Sequence, residues 1–193
     1  MQPLEYGKYY HIYNRGINGV QLFTSQDNYF YFLKLYDKYI SSIADTYAWC
    51  LMNNHFHFLV QIKEFEKIKI EIKNPDRFIY QKFSNLFNAY SKSFNKREKR
   101  HGALFERPFR RKLVTDEKYL RSLILYIHLN PVHHNLVTNV NDYYWSSYKS
   151  IISSESTKIE RDKVLSFFEG KENFIFVHRQ KKEVLNLENW QLA

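Results

Sequence analysis

Apolar positions along the 193-residue chain recur with two distinct periods. Behind Ser25, a residue suited to cap a helix, Tyr29, Phe32, Leu33, Leu35, Tyr36 and Ile40 fall near helical steps. After Pro75-Asp76, with proline suited to a first helical turn, Phe78, Ile79, Phe83, Leu86, Phe87, Tyr90 and Phe94 do the same. The stretch 115–131 predicts a third helix. Thr115 or Asp116 caps it, Tyr119, Leu120, Leu123, Ile124 and Ile127 form one stripe facing a sheet, and Asn130-Pro131 ends it. Strand-like segments occupy 6–16, 46–52 and 55–62, the last two joined by Asn53-Asn54 as a tight turn. A further strand is expected over 104–114, interrupted at Pro108 and therefore at an edge or bulged. A short amphipathic helix over 161–170 closes on Gly170. The order βαββαβα plus a tail, without an internal repeat, predicts an α+β fold: a ferredoxin-like antiparallel sheet with packed helices.

Composition narrows the function classes. No apolar run approaches the roughly 18 residues of a membrane span, and the N-terminus lacks the apolar core of a secretory signal. Cys50 is the only cysteine, so an internal disulfide and a multi-cysteine zinc site are both excluded. We expect a soluble protein of a reducing compartment, without a membrane partner. The formal charge of +9 points toward a polyanion. Its distribution is more telling. Residues 92–112 hold nine Lys/Arg against Glu98 and Glu106, whereas 155–193 balance seven basic with seven acidic residues. Phe105 and Phe109 interleave with Arg107, Arg110, Arg111 and Lys112, the combination that stacks on bases and follows a single-stranded backbone. Arg15, Lys99 and Arg100 complete the candidate nucleic-acid-binding set.

The candidate chemistry begins at His55-Phe56-His57. On a strand, His55, His57, Leu59 and Gln61 share one face, and Phe56, Phe58, Val60 and Ile62 the other, which must face the main core. The histidine face looks away from that core. Two imidazoles projecting together can chelate a divalent ion, although a hydrogen-bonded histidine pair is the commoner arrangement. A third donor is needed. On the helix at 115–131, Tyr126 and Asn130 lie four apart at the margin of the apolar stripe, where they can look into a cleft between helix and sheet.

These segments resemble a family. "YHIYNRG", "LMNN" ahead of "HFH", "HGALFERPFRRKLV" and above all "YIHLNPVHHNLV" are similar to the tyrosine HUH single-strand DNA transposases, which include insertion-sequence enzymes and REP-associated tyrosine transposases. The resemblance covers roughly 6–150, implying an HUH endonuclease domain over 1–150 and a C-terminal helical extension over 151–193, packed on or beside it. It implies Tyr126 as the nucleophile, His55 and His57 as the metal-binding pair, and Asn130 as third ligand. It further implies Mg²⁺ or Mn²⁺ as cofactor, single-stranded or hairpin DNA as partner, a 5′-phosphotyrosine intermediate and a prokaryotic, cytoplasmic, nucleoid-associated protein acting as monomer or homodimer. Asn53 and Asn135 stand where many relatives have Pro and Gly; asparagine tolerates the left-handed conformation. Leu129 stands where a replication initiator would often carry Lys. His128 and His101 are candidate bases, and Tyr143, Tyr144 and Tyr148 rival tyrosines that the sequence places in a loop. A domesticated, non-catalytic hairpin-binding protein on the same fold is the alternative, and an RNA-binding module with incidental histidines ranks below it.

Overall fold

A computed structural model describes residues 3–68 and 75–180. Four strands form one antiparallel sheet, β1 (Tyr9–Arg15), β2 (Ala44–Met52), β3 (His55–Ile62) and β4 (Arg110–Val114), in the order β2-β3-β1-β4. Helix α1 (Gln26–Ile40) joins β1 to β2, α2 (Pro75–Arg97) joins β3 to β4, and α3 (Glu117–His133) follows β4. This is the ferredoxin-like arrangement expected from the pattern of elements. Helices α4 (Tyr148–Ile152), α5 (Arg161–Ser166) and α6 (Lys171–Gln180) come last.

Both faces of the sheet are covered. On the first, Tyr10, Ile12, Phe56, Phe58, Val60 and Ile62 pack with the apolar stripes of α1 and α2. On the second, Cys50, Met52 and Leu59 pack under Leu120, Leu123, Ile124 and Ile127 of α3. Val164, Phe168 and Phe174 of the 161–180 segment enter this second core, while 181–193 lie outside the described residues. The histidine face is thus turned from the main core, as expected, yet it is not open. His57 is fully buried and His55 nearly so, because α3 lies over them.

Three local expectations need correction. Strand β4 begins at Arg110 rather than 104; Pro108 has no N–H for the ladder, and upstream of it Phe105 makes one isolated bridge to Gly16. Helix α3 runs past Pro131 to His133, so the proline sits in its last turn, where the lost N–H costs one bond and the Asn130 carbonyl still accepts from His134. Residues 143–148 are not a free loop. The Tyr143 hydroxyl donates to the Leu51 carbonyl, and Tyr148 opens α4. Asn135 is left-handed at φ 54° and closes the end of α3, with its N–H donating to Val132. Asn53 is not left-handed; its carbonyl accepts from Leu22 and Phe23, which ties down the β2–β3 turn.

The outer edge of β2 is hydrogen-bonded by its own chain. Leu51 N–H donates to Trp145, Ser147 N–H to Trp49, and Glu160 N–H to Thr46, each at 2.9 Å.

Candidate nucleic-acid-processing site

Alternation along β3 and β1 puts His55, His57, Tyr13, His11 and Arg15 on the second sheet face. Antiparallel pairing sets Tyr13 opposite His57 and Arg15 opposite His55. Helix α3 is anchored at its start by Asp116, whose carboxylate accepts from Tyr119 N–H at 2.8 Å. From that fixed start it brings Tyr126 and Asn130 over the histidines. The Tyr126 ring stands edge-on to His57 at 5.4 Å, and Asn130 Oδ1 lies 3.2 Å from His55 Nε2. The four residues that the sequence nominated as nucleophile and ligands therefore meet between β3 and α3.

Its electrostatics follow from dryness. Burial lowers the pKa of His57 well below its ordinary value, lowers that of His55 to about 4 and that of His11 to about 3, so all three rings are neutral near pH 7. Burial also raises the Tyr126 phenol; a side-chain hydrogen bond with Asn130 partly offsets this, while Tyr13 and Cys50 add to the rise. The phenol is accordingly protonated in the resting site.

The ring nitrogens show where a cation fits. A neutral imidazole has one N–H, yet His55 faces an amide oxygen at each nitrogen: Asn54 Oδ1 2.7 Å from Nδ1 and Asn130 Oδ1 3.2 Å from Nε2. With the proton in the shorter contact, the Nε2 lone pair and Asn130 Oδ1 face each other with no hydrogen between them. His57 Nε2 is buried without any hydrogen-bond partner. With a lone pair on Nε2, His57 would join His55 Nε2 and Asn130 Oδ1 in a donor set suited to a divalent ion. Among the described residues, no trio of His, Cys, Asp or Glu side chains could hold a metal; the third donor here is an amide oxygen.

The basic candidates do not act as one patch. Arg15, Arg110 and Lys112 lie on the histidine face, opposite His55, Tyr13 and His11 respectively. Glu106 accepts from Arg15 at 2.6 Å and lies 3.7 Å from Arg110, holding both at the rim. Arg111 points to the other face, where its guanidinium covers the rings of Tyr80 and Phe109 at 5.2 and 5.5 Å. Arg100 donates to Asn95 and to the Ala103 carbonyl, which closes the turn after α2. Lys99 and Arg107 are exposed, and Arg107 borders a cavity of about 510 Å³ between α2 and residues 102–109.

Other candidates lie elsewhere. His128 faces away from the cleft, its two nitrogens 3.0 Å from His178 Nε2 and 2.8 Å from Ser147 Oγ; His101 is exposed beyond the end of α2. Neither is placed to serve Tyr126. Closer to the cleft, the His134 ring lies 5.0 Å from His55 and the His133 ring 6.5 Å from Tyr126. The residues that sequence reading missed are His11 and Tyr13. The alternation of Tyr9, His11 and Tyr13 along β1 was the available signal, since it puts all three on one face once β1 pairs with β3.

No protein-family model matches the chain. It is similar to a Haemophilus influenzae protein provisionally named a REP-associated tyrosine transposase, 31% identical over 114 residues, which cover 58% of this chain and 62% of that protein. The chain therefore spans somewhat under two thirds of this relative's length. Its fold matches a solved structure of a REP-associated tyrosine transposase bound to a REP hairpin, with a TM-score of 0.61, 16% identity, and coverage of 80% of this chain and 84% of that one.

Proposed function

We propose that this chain, similar in sequence to one REP-associated tyrosine transposase and in fold to another, is a metal-dependent nuclease and strand transferase for single-stranded, hairpin-containing DNA. The observation that carries this reading is the meeting of Tyr126 with the buried His55, His57 and Asn130 between β3 and α3. Mg²⁺ or Mn²⁺ held by His55, His57 and Asn130 would supply Lewis-acid polarisation of a phosphate oxygen.

The chain's own groups account for the rest. Arg15, Arg110 and Lys112 at the rim hold the phosphate backbone as it enters. Tyr126 and Asn130 ride one rigid helix, so the phenol is positioned before the substrate arrives. The Tyr126 oxygen forms a bond to phosphorus as the bond from phosphorus to the 3′ oxygen breaks. The products are a 5′-phosphotyrosine and a free 3′-hydroxyl, and the phenolic proton ends, in net balance, on that hydroxyl. Attack by a 3′-hydroxyl on the phosphotyrosine reverses these changes and rejoins a strand without ATP.

The test is a covalent adduct between the purified chain and a 5′-flanked hairpin oligonucleotide in Mn²⁺, resolved on a denaturing gel. Wild type should form it, chelator should abolish it, and Tyr126→Phe should reduce it to background with hairpin binding retained. An adduct persisting in Tyr126→Phe and lost in a Tyr13→Phe double variant would move the nucleophile to Tyr13. Hairpin binding by wild type without an adduct under any metal would leave the non-catalytic binder instead.

A further inference from the structure

His11 is the most deeply placed polar side chain of β1 and belongs to none of the roles above. It is 4% exposed, its Nε2 lies 2.9 Å from His57 Nδ1, and the two rings lie edge to edge, with centroids 5.1 Å apart and planes 23° from parallel. Tyr13 stacks on His11 at 4.4 Å and lies 5.9 Å from the His57 ring. The contact comes from the strand register: His11 pairs with Leu59 and Tyr13 with His57, so His11 and His57 are diagonal neighbours on one face.

One hydrogen lies between the two nitrogens, and there are two ways to place it. If His11 Nε2–H donates, neutral His57 must carry its own proton on Nε2. That nitrogen is buried and has no partner, so a proton there would meet no acceptor and would leave no lone pair for a ligand. If His57 Nδ1–H donates, Nε2 is left with a lone pair toward the cleft. Only the second placement leaves Nε2 able to bind a cation.

We propose that His11 is a positioning residue of the site: by accepting the His57 Nδ1–H, it fixes the His57 tautomer and ring plane so that Nε2 serves as a ligand. A neutral imidazole performs here the orienting task that a carboxylate or backbone carbonyl performs in many metal sites. The proposal rests on the metal reading of the cleft and adds a residue to it.

Two measurements test it, neither needing DNA or turnover. Long-range ¹H–¹⁵N spectra of the imidazoles should show His57 protonated at Nδ1 in wild type. Calorimetry with Mn²⁺ alone should show His11→Leu binding roughly 10–100-fold more weakly than wild type. His11→Gln, whose Oε1 can take the place of the accepting nitrogen, should stay within a few-fold. A His57 proton on Nε2 in wild type would overturn the proposal, even if the Leu variant fails to fold. So would a folded Leu variant with wild-type Mn²⁺ affinity. Wild type that binds no Mn²⁺ at all would instead overturn the metal reading, and the role of His11 with it.

Discussion

The two faces of β3 are built from alternate residues of one eight-residue strand, and they are opposites. Phe56, Phe58, Val60 and Ile62 enter an aromatic core in which Tyr36 stacks on Phe58 at 4.2 Å and Phe56 meets Phe87 at 5.4 Å. His55 and His57 enter a face of comparable dryness that carries the neutral rings of His11 and the histidine pair, with two phenols beside them. The first face needs no partner beyond apolar contact. The second buries ring nitrogens, one of which, His57 Nε2, has no partner, and the opposite face supplies the burial that holds the sheet together. The cleft can therefore be polar and dry at once, the condition under which a bound cation acts most strongly on a phosphate.

The largest effect that breaks this comparison is on the apolar face. Phe58→Ala should cost about 3–5 kcal/mol of stability in urea denaturation. His57→Leu, one residue away, should cost less, about 1–3 kcal/mol without metal, because it removes the unpartnered Nε2 and leaves the buried His11 Nε2 without its contact to Nδ1. The same His57→Leu variant should lose Mn²⁺ binding. A large loss of stability in metal-free His57→Leu would show that the histidine face is structural after all.

A middle-sized effect comes from acid. In the folded chain His11 and His55 protonate only near pH 3 and 4, and His57 and His128 also lie well below the ordinary value of 6.5. In the unfolded chain they protonate around that ordinary value. Below it the unfolded state binds more protons, so stability should be full above about pH 6.5 and fall as pH drops toward 4, by about 1.4 kcal/mol per unit for each histidine that stays neutral. Urea midpoints at pH 7 and pH 5 measure the fall, and His11→Gln should make it shallower. A flat profile would mean these rings are not held neutral by the fold.

The smallest effect separates neighbours on β4. Arg110→Ala should reduce the slope of log affinity for hairpin DNA against log salt by about 1. Arg111→Ala should leave that slope unchanged and cost about 0.5–1 kcal/mol of stability, through loss of its contact with Tyr80 and Phe109. Equal slopes for both variants would erase the assignment of faces.

Much of this was legible in the residues. Strand β3 was bounded to the residue by its alternation and by the Asn53-Asn54 turn, and α1 by its apolar stripe behind Ser25. Tyr126 and Asn130 could be paired because four residues along a helix is a local relation. What the sequence hid depends on pairing across strands. His11 is 46 residues from His57, and only the β1–β3 register brings the two together. The basic run misled for the same reason. Reading 110–112 as one patch counted charges along the chain, whereas a strand sends neighbours to opposite sides. His128 shares the tyrosine helix, yet helical rotation turns it toward His178 and Ser147.

The covered edge of β2 has its own consequence. A sheet with an unpaired border is a template on which another copy can continue the ladder, and such growth leads to aggregates. Residues 145–147 and 159–160 already take up donors and acceptors along β2, so that side is closed to further strands. The other border is β4, five residues long and carrying Arg110, Arg111 and Lys112 in succession. Two such borders meeting would bring six cations into register. The positive charge that would meet nucleic acid under the proposed function also repels copies of this strand, and among the described residues the sheet has four strands.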